Sequence, residues 1–130
     1  MKVIHKHNAS VKEDDACTIT EYKIDEQHAI DCAIAKVNGR YPSSGSVINE
    51  HCKELAYVFE GGGKLVVEHK EVVLNAGDCV LIEPQEKYYW SGHMTLFISC
   101  TPEWHVEQHK IVISSPNKKQ FNSENRNGKG

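Results

Sequence analysis

Short runs of alternating residues, separated by turn residues about every 8–12 positions, dominate this sequence. Residues 17–24 and 54–60 alternate most clearly, and roughly eight to ten such runs can be counted. Only 9–16 and 103–109 have any helical character, and neither keeps an apolar period of about 3.6 residues. Because regularly spaced short strands are typical of stacked or closed sheets, the sequence predicts an all-β sandwich or barrel.

The length of 130 residues predicts a single domain. We expect that domain to span 1–115, with its core motifs in 45–90, because the last strand-like run ends near 115. Residues 116–130 are polar and include one aromatic side chain. Such a segment buries too little apolar surface to offset the entropy lost on ordering, so we expect a disordered tail.

Charge and hydropathy exclude several classes of partner. The net charge is -3, and Lys and Arg are interspersed with Asp and Glu. Without a basic stripe to neutralise phosphates, no nucleic-acid partner is expected. No apolar run approaches the roughly 20 residues of a membrane helix or the roughly 7–15 of a secretory signal. The sequence therefore predicts a cytoplasmic protein with no membrane partner.

Two motifs in the middle of the chain carry the most specific signal. In the first, five residues separate Gly45 from His51, and six residues separate Glu54 from Gly61. In the second, residues 74–84 read Leu-x-x-Gly-Asp-x-Val-x-Ile-x-Pro. Together they resemble the two-part signature of the cupin superfamily. The resemblance implies a cupin-type antiparallel β-barrel, or jelly roll, in a single domain, and the family habit implies a homodimer.

The sequence departs from this family at its metal ligands. Metal-binding cupins usually employ two motif-one histidines, the motif-one Glu and a motif-two His. Here residues 51–53 read His-Cys-Lys in place of His-x-His, and Tyr88 or Tyr89 replaces the last histidine. Because His51 and Glu54 are fewer than the three protein ligands of a catalytic site, no cofactor is predicted. The alternative is iron, manganese, nickel or zinc held by these two residues and one further group.

The candidate site residues are chosen by their distance in sequence from Glu54 and by the face of the strand on which they lie. Counting back from Glu54 places the missing histidine positions at Val47 and Asn49, or at Ile48 and Glu50. Tyr88 and Trp90 share one face of their strand. His109 and Trp104 are expected at the rim. The predicted ligand-binding residues are Asn49, His51, Glu54, Tyr88, Trp90 and His109.

The resemblance implies that Glu54 faces the barrel interior. Alternation along 54–60 then places every second residue after it on the same face and turns Leu55, Tyr57 and Phe59 outward. A buried carboxyl near hydroxyls, an amide and an imidazole is typical of a small-molecule pocket. The structural alternative is a network in which Glu54 only satisfies buried hydroxyls. Residues 61–63 (Gly-Gly-Gly) are expected to form a hairpin turn, because a strand-like run rather than a helix follows them.

The sequence leaves several functions open. The first is a cupin domain that binds a small-molecule ligand of unknown identity. The second is a metal-free enzyme resembling sugar isomerases or epimerases, with His51 or His109 as base and Tyr88 as acid. The third is a metal-assisted enzyme resembling dioxygenases, in which His51 and Glu54 converge on one ion. The last is a dimeric structural or sensing module that packs through its outward apolar face.

Overall fold

The computed structural model describes residues 1–14, 16–24 and 29–113. These residues form nine strands: β1 (Ser10–Asp14), β2 (Cys17–Tyr22), β3 (Asp31–Tyr41), β4 (Ser46–Asn49), β5 (Lys53–Val67), β6 (Lys70–Asn75), β7 (Cys79–Ile82), β8 (Tyr88–Thr101) and β9 (His109–Val112). Two short 3-10 turns, Lys6–Asn8 and Val106–Gln108, complete the regular structure in these ranges. The predicted all-β fold class is confirmed. The predicted tail, 116–130, lies outside the described residues.

The strands pair antiparallel within one sheet that curls into a half-barrel. The main path runs β1-β2-β3-β8-β4-β9, and β5 pairs with β6, β7 and β8. β8 is the central strand because it pairs with β3 along 31–41 and with β5 along 53–67. The curl gives β3, β5 and β8 a shared concave face, and Tyr41, Glu54 and Tyr88 lie on these three strands.

Side chains on β5 alternate as predicted. Glu54 and the next two alternate residues are buried, whereas Leu55, Tyr57 and Phe59 are exposed. The buried positions join the apolar core, whose fully buried members include Val47, Val58, Leu65, Ile82 and Leu96. Because the pleat sends successive side chains to opposite faces, one carboxyl of this strand lies inside the curl.

The candidate helices of the sequence are not helices. Residues 10–14 form β1, whose five side chains are all exposed and which pairs with β2 from Ser10–Glu21 to Asp14–Cys17. A polar edge strand carries no alternation of its own, so only its pairing with β2 defines it. Residues 106–108 form a single 3-10 turn. None of the helical segments in the described ranges is long and apolar enough to cross a bilayer.

The expectation of a hairpin turn at 61–63 is wrong. These three glycines lie inside β5, just after a bulge between Val58 and Glu60, and they pair with residues of β8. The turn between β5 and β6 instead falls at Glu68 and His69, which both adopt positive φ. Gly63 faces Gly92 across the two strands, and a Cβ on Gly63 would lie 2.3 Å from the Ser91 carbonyl oxygen. Glycine is required here because the backbones approach too closely for any side chain.

We expect Gly63→Ala to destabilise the fold by about 3 kcal/mol or more, because the added Cβ collides with backbone atoms that cannot move alone. Gly62→Ala is the matched control, since its Cβ would meet its nearest atom, the Leu74 carbonyl oxygen, at 3.1 Å. Urea denaturation of both variants measures the difference. Equal losses in the two variants would show that glycine flexibility, not the Gly63–Gly92 approach, sets the requirement.

Candidate functional site

A cavity of about 680 Å³ opens on the concave face of the sheet. β1, β2, β3, β5 and β8 contribute to its wall, and Trp104, Val106 and His109 close one side. Most of the wall is apolar or aromatic, and the remainder carries carboxyl groups, one lysine and one histidine. This composition and size are typical of a site for a small molecule.

Glu54 provides the buried carboxyl of this wall. It is 5 % exposed and lies on β5, where it pairs with Cys100 on β8. Burial raises the pKa of Glu54 to about 7, and the charge of Asp31 acts in the same direction. Hydrogen bonds from Asn49 and Tyr88 favour the ionised form and offset part of this increase. Burial therefore moves the titration of this carboxyl towards the neutral range.

Asn49, at the end of β4, connects Glu54 to the rest of the site. Its side-chain Nδ2 donates to Glu54 Oε1 at 3.1 Å and to the Tyr88 hydroxyl at 3.2 Å. The Tyr88 hydroxyl in turn donates to the same Oε1 at 3.4 Å. Both donors therefore converge on one carboxyl oxygen, and no residue of the described ranges contributes a hydrogen bond to Glu54 Oε2. A buried polar atom without a partner usually marks the place of water or a ligand.

The side-chain oxygen of Asn49 determines the tautomer of His109. Asn49 Oδ1 accepts from Trp104 Nε1 at 3.2 Å, and an indole nitrogen can only donate, so this atom is the oxygen. His109 Nδ1 lies 2.8 Å from the same oxygen and must therefore carry the proton. His109 Nε2 then accepts from the Tyr41 hydroxyl at 3.0 Å. Burial lowers the pKa of His109 to about 4, which keeps this tautomer neutral at physiological pH.

Five of the six predicted site residues lie together. Asn49, Glu54, Tyr88 and His109 form the hydrogen-bonded network, and the Trp90 ring meets the Tyr88 ring edge-on at 6.4 Å between centroids. His109 and Tyr88, the base and the acid of one alternative, do not hydrogen-bond each other. Asn49 stands between them, and Tyr41 is the hydroxyl that reaches His109.

The sixth predicted residue, His51, lies apart from the cavity. Its side chain is exposed and is not part of the cavity wall. Its backbone N–H and that of Cys52 both donate to the Gln108 side-chain oxygen, at 2.8 and 2.9 Å. This contact turns the small Cys52 side chain inward, fully buried, and leaves the imidazole in solvent. Alternation alone requires only that one of the two point inward.

The groups of the wall that sequence reasoning missed include Tyr41, Asp31 and Cys100. Asp31 and Cys100 are cross-strand partners on β3 and β8, and Cys100 is paired on its other side with Glu54. Asp31 Oδ2 accepts from the Trp104 backbone N–H at 3.1 Å and from Lys23 at 3.3 Å. The one sequence feature that points to Asp31 is its position, an even number of residues before the buried Ala35 and Val37 of β3.

The donor set does not fit a divalent metal. In the ranges that the structure describes, no three His, Cys, Asp or Glu side chains are grouped as an ion would require. Burial raises the pKa of Tyr88 well above its usual value, so this hydroxyl stays protonated and is no substitute for an imidazole. Both ring nitrogens of His109 are already engaged by Asn49 and Tyr41.

A protein-family model described as a cupin domain matches residues 36–95. The chain contains a cupin domain. The cupin resemblance of the sequence is thereby confirmed. No curated protein matches the sequence.

Solved structures share the cupin fold at low sequence identity. Pac13 from Streptomyces, described as a unique nucleoside dehydratase, has a TM-score of 0.77 at 16% identity, over 88% of this chain and 94% of that one. Ectoine synthase from P. lautus has a TM-score of 0.66 at 14% identity, over 88% and 92%. Salicylate 1,2-dioxygenase from Pseudaminobacter salicylatoxidans has a TM-score of 0.58 at 15% identity, over 68% and 27%. Identities this low establish the fold alone.

Proposed function

We propose that this cupin is a metal-free enzyme that binds a small polar molecule in its cavity, where Glu54 transfers a proton to or from it. The observation that carries the proposal is the state of the Glu54 carboxyl. It is buried in the cavity wall with a pKa of about 7, and only one of its oxygens is hydrogen-bonded by the described residues. Enzymes tune a carboxyl in this direction to exchange protons near neutral pH.

The network assigns a place to the exchangeable proton. Because Asn49 and Tyr88 both donate to Glu54 Oε1, a proton on this carboxyl resides on Oε2. The protonated carboxyl donates from Oε2 as a general acid, and the ionised carboxyl accepts there as a general base. Tyr41 supplies a second polar group of the wall. Burial raises the pKa of Tyr41 to about 12, so its hydroxyl stays protonated and can hydrogen-bond an uncharged ligand group.

Similar folds carry small-molecule chemistry. One neighbour is described as a nucleoside dehydratase, and variants of it are described with uridine. A second is named as ectoine synthase. These names support an enzyme that acts on a small molecule, and the substrate of this chain is proposed from its own cavity.

The proposal is tested by incubating the purified protein with a protein-free extract of cellular metabolites. We expect the wild type to consume at least one small polar compound, Glu54→Gln to lose at least about 100-fold of that rate, and a chelator to change nothing. A rate that rises through pH 7 assigns the base role to Glu54, and one that falls assigns the acid role. The exposed-site variant Glu60→Gln is the control and keeps the wild-type rate. Equal turnover by wild type and Glu54→Gln would contradict the proposal.

Binding without chemistry is the second candidate function. It is favoured by the closed network around Asn49, whose two side-chain atoms contact Glu54, Tyr88, His109 and Trp104. In such a network Glu54 has a structural role. Retention of one unchanged metabolite by both wild type and Glu54→Gln would establish this function in place of catalysis.

Three properties expected from the sequence remain predictions. They are a cytoplasmic location, assembly as a homodimer and the absence of a bound divalent metal. Light scattering measures the molar mass in solution. Elemental analysis of protein purified without a histidine tag measures iron, manganese, nickel and zinc.

A further inference from the structure

We infer that the cavity selects a small organic cation, with its positive group held between aromatic rings and carboxylates. This inference rests on the proposed function, because it names the class of molecule that occupies the same site. Two independent features of the cavity carry it, namely its aromatic side chains and the sign of its charge.

Aromatic rings form a large part of the cavity wall. Tyr41, Tyr88, Trp90 and Trp104 all line it, and the last two are the only tryptophans of the chain. The negative faces of such rings attract ammonium and guanidinium groups, and a cluster of them is the usual receptor for alkylated amines. The ammonium groups of Lys12 and Lys23 lie 5.1 and 5.2 Å from the Trp104 ring centroid, so this ring already has cation–π partners within the protein.

The charges around the cavity are predominantly negative. Among the described residues of its wall, five carry carboxyl groups and one carries an ammonium group. That ammonium, on Lys12, is paired with Glu21 at 3.3 Å, and Lys23 outside the wall is paired with Asp31 at 3.3 Å. Even without Asp14, the four carboxyls of Glu13, Glu21, Asp31 and Glu54 outnumber the two lysines. A cleft with low-dielectric walls concentrates such a field, which attracts a cation and repels an anion.

The pKa of Glu54 should depend on the charge of the bound ligand. Glu54 is nine-tenths or more buried, it belongs to the wall, and its Oε2 has no hydrogen-bonding partner among the described residues. A cation bound beside it stabilises the ionised carboxylate and lowers its pKa. Binding near pH 7 should therefore release a proton, whereas binding of a neutral molecule of equal shape should not.

The experiment compares three probes of nearly equal shape. Choline is the cation. Its carbon isostere, 3,3-dimethylbutan-1-ol, is the neutral probe, and 3,3-dimethylbutanoate is the anion. The indole N–H signals of Trp90 and Trp104 report binding in NMR titrations, and both residues line the cavity. We expect choline to bind at least about tenfold more tightly than the neutral isostere, and the anion to leave both signals unshifted.

Variants identify the charge that is responsible. Asp31→Asn keeps an oxygen for the Trp104 N–H and should reduce the preference for choline about tenfold, with the affinity for the neutral isostere unchanged. Glu71→Gln removes an equal charge from an exposed pair with Lys64 outside the cavity wall and should change neither affinity. Calorimetry of choline binding in two buffers of different ionisation enthalpy should detect proton release in the wild type but not in Glu54→Gln.

The outcomes separate this inference from the proposed function. Equal or tighter binding of the neutral isostere, or no binding of choline, overturns cation selection, while turnover that depends on Glu54 would still establish the enzyme. Selective choline binding together with turnover that is unaffected by Glu54→Gln supports the cation site and overturns the enzyme.

Discussion

Glu54→Gln should make the protein more stable than the wild type at alkaline pH. The folded state raises the pKa of Glu54 from 4.5 to about 7, so the native protein binds this proton more tightly than the unfolded chain. The resulting stability is fully present below about pH 4.5 and is lost as the pH rises to about 7. The loss is on the order of 3 kcal/mol. Glutamine is neutral at every pH, so the variant keeps this stability as the pH rises.

Thermal unfolding at several pH values measures this effect. The two proteins should unfold at similar temperatures near pH 4.5, and the variant should unfold roughly 10 °C higher near pH 8. Glu60→Gln, at an exposed position of the same strand, should follow the wild-type pH profile. A constant difference between wild type and Glu54→Gln at all pH values would show that Glu54 does not titrate near 7 in the folded protein.

Asn49→Ala should be among the most destabilising single substitutions in the site. The side chain is 2 % exposed, its Nδ2 donates to Glu54 and Tyr88, and its Oδ1 accepts from Trp104 and His109. Alanine leaves these buried groups without their partner, which costs about 3–5 kcal/mol. The loss of the Asn49 hydrogen bond should also raise the pKa of Glu54 further.

Val47→Ala is the matched control, because Val47 is a fully buried residue two positions earlier on β4. It removes packing volume without removing a polar partner, and about 2 kcal/mol of stability should be lost. Carbon NMR of the Glu54 carboxyl should show a raised pKa in Asn49→Ala and the wild-type pKa in Val47→Ala. An unchanged Glu54 pKa in both variants would mean that the Asn49 hydrogen bond does not stabilise the ionised carboxyl.

Local pattern was sufficient where one strand determines its own faces. With Glu54 placed inward by the family resemblance, the alternation along 54–60 correctly predicted the outward Leu55, Tyr57 and Phe59. It also placed Tyr88 and Trp90 on one face of β8. These predictions succeed because the pleat has a fixed period of two, so one anchored residue assigns all its neighbours.

Local pattern failed where distant strands meet. The glycines at 61–63 read as a turn, but the approach of β5 to β8 at Gly63 and Gly92 requires them inside a strand. His51 was expected in the pocket, yet the Gln108 side chain binds the backbone there and sends the imidazole to solvent. Neither contact has a local signature, because the partners are far apart in sequence.

The sequence by itself determined the all-β class, the cupin resemblance and the loss of the usual metal ligands, since each depends on spacing or on residue identity. The inward position of Glu54 came from what the resemblance implies. Only the tertiary structure decided which groups act on that carboxyl. The side chains of the network come from four strands and one loop, and they meet because the sheet curls. They are Asn49, Tyr88, His109, Trp104 and Tyr41. Burial by that curl raises the pKa of Glu54 to about 7 and lowers that of His109 to about 4.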